Sequence, residues 1–212
     1  NGLETKPINK PMKRLSLYLF LVLFTLQTPS QADDIRDFEI EGMSIGDSLL
    51  DYFSKDELDN FEDPYKNIVP NKKVKTFILE SKLEIYDMLE LTYFENDKKY
   101  IIHGLGGAIF FPDNIKDCKN KQGEVLNNLK AIFDNSDTVY NKFKFPADKS
   151  GKSKMYQYSM MITPNSKYYN IMINCFEFGK EFKSRSFVNN LNIIINSEKI
   201  NDYFHSVGLG SK

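Results

Sequence analysis

Residues 155–178 decide the fold, and they read Met-Tyr-Gln-Tyr-Ser-Met-Met-Ile-Thr-Pro-Asn-Ser-Lys-Tyr-Tyr-Asn-Ile-Met-Ile-Asn-Cys-Phe-Glu-Phe. The second half alternates apolar and polar side chains, which is typical of a strand with one buried face. Thr163–Lys167 contains Pro and Asn, and both residue types favour a turn. The stretch therefore predicts an antiparallel hairpin made of Met155–Ile162 and Tyr168–Phe178.

The segments on either side of this hairpin predict further strands and a few helices. The predicted strands are Asp37–Glu41, Lys73–Leu79, Lys82–Phe94, Lys99–Phe111 and Phe187–Asn196. The predicted helices are Gly46–Asn60, capped by Asp47, then Asn114–Asp134, and a last one that begins after Ser197 and runs to Phe204; Phe61–Asn71 is a connector. Strands joined by short turns, with one helical crossover, favour α+β over a doubly wound fold. We predict a mainly antiparallel sheet of about five to six strands, a long helix after the third strand, and short N- and C-terminal helices.

The N-terminal part has the pattern of a secretory signal peptide. A basic pair follows Met12 and precedes the apolar run Leu15–Leu26, which is shorter than the roughly 20 residues of a membrane-spanning helix. Small residues then place the cleavage site between Ala32 and Asp33. We expect residues 1–11 to be an upstream segment, 12–32 the signal peptide and 33–212 one globular α+β domain. The alternative is an uncut helix that stays as a membrane anchor.

Composition limits the classes of function. The chain has 28 Lys and Arg against 29 Asp and Glu, so it lacks the positive charge that nucleic-acid binding requires. With 41% hydrophobic and 14% aromatic residues it can bury a core. We therefore predict no nucleic-acid partner. Together with the signal-peptide pattern, we expect a periplasmic or secreted protein that is monomeric and has no membrane anchor after cleavage.

Cys118 and Cys175 are predicted to form a disulfide. An even number of cysteines in an exported protein is the usual condition for such a bond. Helical spacing puts Cys118 on the apolar face of its helix, and strand alternation puts Cys175 on the side of Ile171 and Ile173. Two buried free thiols are the alternative.

Two serine motifs suggest a hydrolase. Gly42–Gly46 fits the nucleophile-elbow pattern around Ser44, although a loop that leads into the first helix explains it as well. Gly46-Asp-Ser-Leu49 resembles the motif of the GDSL (SGNH) esterases, and Asp202-Tyr-Phe-His205 resembles their Asp-x-x-His block. The resemblance implies a triad of Ser48, His205 and Asp202. The Gly-x-Asn-Asp block that supplies the family's oxyanion-stabilising Asn is absent, and the strands between the motifs do not match the family's fold.

The remaining motifs are incomplete. Gly104–Gly107 follows a strand as a dinucleotide-binding loop would, but Pro112 comes before any helix, so a closely packed strand is the better interpretation. Gly151-Lys-Ser153 ends like a phosphate-binding loop, but Pro146 stands where its first Gly should be, which leaves a solvated basic loop. The chain has two His and no Cys-x-x-Cys, so we predict no metal and no cofactor.

Asp37–Phe53 and Phe111–Cys118 resemble a group of small exported proteins of unknown function from Pelagibacter-type marine alphaproteobacteria. The resemblance implies export and a bacterial origin, and it implies no activity. The sequence thus predicts an exported, non-catalytic module that binds a protein, peptide or envelope ligand. The alternatives are a serine esterase using Ser48, His205 and Asp202, and a purely structural envelope protein.

Overall fold

The protein is described here from a computed structural model. The structure describes residues 35, 38–61, 63, 73–80, 83–112, 114–133, 136–145 and 148–207. The predicted signal peptide, its cleavage site at Ala32 and Asp33, and most of the predicted connector Phe61–Asn71 lie outside the described residues. Among the described residues, no helix is both long and apolar enough to span a bilayer.

The described strands form one sheet in which every neighbouring pair is antiparallel. In chain order they are β1 (Val74–Leu79), β2 (Met88–Phe94), β3 (Gly104–Phe110), β4 (Asp137–Lys144), β5 (Lys154–Ile162), β6 (Tyr169–Glu177) and β7 (Asn190–Ser197). The described α-helices are α1 (Lys55–Asn60), α2 (Ile115–Ile132), α3 (Lys180–Lys183) and α4 (Glu198–Ser206). Across the sheet the order is β1-β2-β3-β7-β6-β5-β4. The chain makes a three-strand meander, crosses through α2 to the far edge, and returns by a four-strand meander.

The α+β class and the antiparallel sheet are confirmed, and so is the hairpin that β5 and β6 form. The predicted count of five to six strands is wrong, because the described sheet has 7. The predicted strand Asp37–Glu41, in its described residues, forms only the isolated bridge of Ile40 with Met43 and does not join the sheet. The sequence predicts no strand at β4. Most of its side chains are exposed. Since neither face of β4 is buried, its sequence does not need the alternation of apolar and polar residues that marks a strand with one buried face. β4 is a strand because its backbone pairs with β5 along its whole length.

The predicted strand Lys82–Phe94 begins only at Met88, because the backbone before it is bound elsewhere. The Glu41 carboxylate accepts hydrogen bonds from the N–H groups of Glu84, Ile85 and Tyr86, at 3.0, 2.7 and 3.0 Å. These amides donate to the carboxylate, and the ladder starts after them.

The predicted helix Gly46–Asn60 is two short pieces. A 3₁₀ turn covers Leu49–Asp51, and α1 follows. Each piece has its own serine cap, Ser48 for the turn and Ser54 for α1, so Asp47 does not act as the predicted cap. The crossover helix α2 has 18 residues and ends at Ile132, before the predicted Asp134.

One face of the sheet is covered and holds the core; we call it the covered face. The N-terminal segment packs there against β1–β3, and α2 packs against β6 and β7. Cys118 of α2 and Cys175 of β6 form a disulfide, with Cα atoms 6.1 Å apart, as predicted. Gln122, one turn further along α2, donates from Nε2 to the Tyr156 and Ile173 carbonyls, both at 2.7 Å. The bond and this amide fix α2 to β5 and β6.

The opposite face, which we call the open face, is lined by the alternate residues of each strand. On β7 it carries Asn192 and Ile194, while Ile193 and Ile195 point into the core. Ile194 is half-buried, whereas Ile195 is fully buried. Towards the β4 edge, Val139 is 55% exposed on this face. One face therefore builds the core and the other meets solvent, as is common in antiparallel sheets.

Candidate functional site

The Ser48 hydroxyl makes hydrogen bonds with backbone groups. Its hydroxyl donates to the Lys99 carbonyl at 2.7 Å and accepts from the Leu50 N–H at 3.2 Å. The hydroxyl therefore closes a turn and ties it to the segment before β3.

Asp202 and His205 lie on α4, and both are exposed. In the described part of the chain, no hydrogen bond joins either side chain to Ser48. Asp202 lies near Tyr168, and burial followed by this negative charge raises the pKa of the Tyr168 hydroxyl. The described contacts thus do not assemble the triad that the esterase resemblance implies.

The nucleophile-elbow match is also a structural turn. Ser44 is 4% exposed, and its hydroxyl donates to the Phe38 carbonyl at 3.2 Å. Asp47, the predicted cap, instead accepts from the Ser44 N–H at 3.0 Å and from the Tyr52 hydroxyl at 2.6 Å. The loop interpretation of Gly42–Gly46 fits these contacts.

Gly151-Lys-Ser153 is less solvated than predicted, because Ser153 is fully buried. Its hydroxyl accepts from the Gly179 N–H at 2.9 Å, and its own N–H donates to Asp148 at 2.7 Å. Asp148 also accepts from the Ser150 N–H and hydroxyl, and the hydrogen bonds from Ser150 and Ser153 hold the pKa of its carboxyl well below the usual range. The loop is a hydrogen-bonded turn that anchors β5 to the segment after β6.

The glycines of β3 have close neighbours on both faces of the sheet. Gly107 faces the core, where a Cβ would lie 2.6 Å from the Tyr86 ring, so close packing requires Gly there. Gly104 and Gly106 face the open side, followed by Ala108. A Cβ on Gly104 would lie 3.0 Å from the Thr92 side chain, and one on Gly106 would lie 3.2 Å from that of Ile194. Three consecutive open-face positions of β3 therefore carry no side chain larger than a methyl group.

Two of these small residues, Gly104 and Gly106, line a trough along β3, which we call the β3 trough. Side chains of β2 and β7 flank it, among them Thr92 and Asn196, and Phe204 of α4 closes one end. A cavity of about 230 Å³ occupies this part of the open face. The trough is a groove between two rows of larger side chains.

Asn192 provides an unusual group beside the trough. Its side chain is 8% exposed, and its Oδ1 is buried without a hydrogen-bond partner among the described residues. Oδ1 lies 3.5 Å from the place that a Cβ on Gly106 would take. The neighbouring amides are paired: Gln157 Nε2 donates to Asn174 Oδ1 at 2.9 Å. A buried acceptor without a donor costs free energy, and it calls for an explanation.

The charged strand residues of the open face have one sign. Of the strand residues that point to this face, Glu90 and Asp137 are acidic and none is basic. Glu90 lines the trough itself. An anionic ligand would find no counter-charge on these strands.

A second concavity lies at one end of the sheet, which we call the end cleft. It has a volume of about 600 Å³, and four segments meet there: the Gly46 turn, residues 101–103 before β3, the β5–β6 turn and the start of α4. His103 and Ser197 both line it, with His103 Nδ1 3.0 Å from Ser197 Oγ. In the sequence, Ser197 is only the residue that precedes the last predicted helix. The structure pairs it instead with His103.

No family model matches this chain, and no match was found among curated proteins or solved structures. Within the described ranges, no three His, Cys, Asp or Glu side chains group as a metal site would require. Sequence reasoning missed both sites, although the spacing Gly104-x-Gly106-x-Ala108 places three small residues on one strand face.

Proposed function

We propose that the protein is an exported binding module that holds an extended peptide in the β3 trough. The observation that carries the proposal is Asn192 Oδ1, a buried acceptor without a described partner, which lies beside Gly106. A peptide N–H from the ligand would satisfy this acceptor and remove the cost of leaving it unpaired.

The position of the trough favours an extended chain. Gly104 and Gly106 are alternate residues of one strand, roughly 7 Å apart, the length of about two extended residues. Met172 and Ile194 add apolar lining beside them. A groove along a strand with apolar walls suits a short stretch of peptide backbone and its small side chains.

The charge of the trough indicates which class of peptide should bind. Glu90 lines the trough, and no basic residue of the strands points to this face. Neutral or basic peptides should therefore bind better than acidic ones, because an acidic side chain would face a carboxylate.

Export is the second part of the proposal, and two features support it. The apolar run Leu15–Leu26 has the length and flanking residues of a signal peptide. The Cys118–Cys175 disulfide is stable in an oxidising compartment such as the periplasm or the extracellular space.

The test measures binding of fluorescently labelled eight-residue peptides by anisotropy, in a neutral, a basic and an acidic set. The decisive variant is Asn192→Leu, which removes the acceptor and leaves the trough open. We expect neutral or basic peptides to bind, and Asn192→Leu to weaken binding by about tenfold, the equivalent of one lost hydrogen bond.

Two further proteins make the result decisive. Gly106→Val fills the trough and should abolish binding, whereas Gly123→Ala, on α2, adds a methyl group where no atom lies within 4 Å and should not affect it. The proposal is wrong if no peptide set binds, if only a neutral oligosaccharide control binds, or if both trough variants bind as the wild type does.

A further inference from the structure

The end cleft holds a serine and a histidine in direct contact, outside the β3 trough. Ser197 Oγ lies 3.0 Å from His103 Nδ1, and the Ser197 N–H donates to the His103 carbonyl at 2.8 Å. Two hydrogen bonds therefore fix the two residues relative to each other. Both line a cleft of about 600 Å³, large enough for a small molecule.

Ser197 occupies an unusual position for its hydroxyl. It is the last residue of β7 and the N-cap of α4, yet its side chain makes no capping hydrogen bond to the described amides of that helix. A serine at this position usually caps the helix. Here the hydroxyl turns to the imidazole, and the first-turn amides of α4 are left beside it without a serine cap.

The surroundings of His103 favour the neutral form of its imidazole. Partial burial is the main cause that lowers the pKa of its imidazole, and the nearby ammonium of Lys199 acts in the same direction, while Asp97 opposes them. The Lys199 ammonium lies 4.3 Å from the centre of the Phe94 ring, and the His103 ring packs edge-on to Phe94 at 5.1 Å. A neutral imidazole can accept a proton from a hydroxyl.

We propose that Ser197 is a nucleophile and His103 its general base, and that the end cleft hydrolyses esters of small carboxylic acids. The inference goes beyond peptide binding and concerns a different site. Half-buried Ile101 lines the cleft and provides an apolar contact for a short acyl chain.

The reaction balances with water as the only co-reactant. Ser197 Oγ bonds to the ester carbonyl carbon while its proton passes to His103 Nδ1. The carbonyl oxygen becomes an oxyanion, for which the first-turn N–H groups of α4, left without a serine cap, are the proposed donors. The ester C–O bond then breaks, and His103 returns the proton to the leaving alcohol. Water adds to the acyl carbon as His103 takes its proton, the acyl–Ser197 bond breaks, and His103 returns that proton to Ser197 Oγ as the carboxylic acid leaves.

The experiment labels the folded protein with a fluorophosphonate and locates the adduct by intact mass and peptide mapping. The variants are Ser197→Ala, His103→Gln and Ser48→Ala, each checked for folding by circular dichroism. We expect one adduct per chain on Ser197, none in Ser197→Ala, and about 100-fold slower labelling in His103→Gln, the size typical of a lost general base. Ser48→Ala should label as the wild type does.

Hydrolysis of p-nitrophenyl butyrate provides a second readout, because turnover must disappear in Ser197→Ala. The proposal is overturned if the folded wild type does not label, if the adduct lies on Ser48, or if His103→Gln labels at the wild-type rate. Refuting the esterase proposal would not refute peptide binding, because Ser197 and His103 line the end cleft and not the β3 trough.

Discussion

Gln122→Leu tests what holds the crossover helix to the sheet. Gln122 is 2% exposed, and one nitrogen of its side chain donates to two carbonyls, those of Tyr156 on β5 and Ile173 on β6. Leucine has a similar size, so the substitution removes the two hydrogen bonds and leaves little cavity.

The expected loss of stability follows from these two bonds. Each contributes about 0.5–1.5 kcal/mol net, and a buried acceptor that loses its donor adds a further desolvation cost of about 1–3 kcal/mol. We expect the free energy of unfolding to fall by about 2–4 kcal/mol. For a domain of this size the melting temperature should fall by roughly 5–15 °C.

The assay is urea unfolding followed by far-UV circular dichroism, because the chain has no Trp to report by fluorescence. The disulfide is kept intact so that the denatured state is the same in all variants. Asn192→Leu is the matched comparison: its amide oxygen has no partner among the described residues, so the same substitution there should leave stability equal or higher. The reasoning is refuted if Gln122→Leu is as stable as the wild type, or if Asn192→Leu loses as much as Gln122→Leu.

Three further predictions concern the disulfide and two titrating groups. Replacing Cys118 and Cys175 by Ala should cost about 4 kcal/mol of unfolding free energy, measured in urea, and the unfolded, unreduced wild type should show no free thiol. Asp148→Asn should lower the melting temperature at pH 7, and the deficit should shrink as the pH falls below about 4, because the unfolded chain then binds a proton at Asp148 while the lowered pKa keeps the native carboxyl ionised. Because the pKa of His103 is lowered on folding, the unfolded chain binds more protons below pH ~6.5; wild-type stability should fall with acidification there, and His103→Gln should lose that dependence. A constant deficit in Asp148→Asn, or an equal slope in His103→Gln, would contradict these assignments.

The sequence predicted the elements in which the spacing of apolar side chains marks a buried face. Alternation in β6 identified the hairpin and placed Cys175 inward, and helical spacing placed Cys118 on the same core. The sequence did not predict β4, because this edge strand is defined by its backbone pairing with β5 and its exposed side chains show no apolar alternation. The start of β2 was also mispredicted because of a distant partner. The Glu41 carboxylate accepts hydrogen bonds from the amides that precede β2, and one of them, that of Tyr86, is 45 residues away in the chain.

The candidate sites were harder to predict, because each depends on neighbours that are distant in sequence. Ser48 belongs to a recognisable motif, yet its hydroxyl is used by the Lys99 carbonyl, 51 residues away. Ser197 and His103 are 94 residues apart, and no local pattern connects them. Small residues at alternate positions of β3 were visible, but a trough exists only because β2 and β7 flank them.

By itself, the sequence determined the α+β class, the antiparallel hairpin and the inward direction of both cysteines. These properties follow from local periodicity, since the direction of a side chain in a helix or strand is fixed by the backbone. Only the tertiary structure decided that Asn192 keeps an unpaired acceptor beside Gly106, and that Ser197 meets His103. The physical reason is that hydrogen-bond partners and grooves are made by strands that pair across the sheet, and strand order is not written in any local pattern.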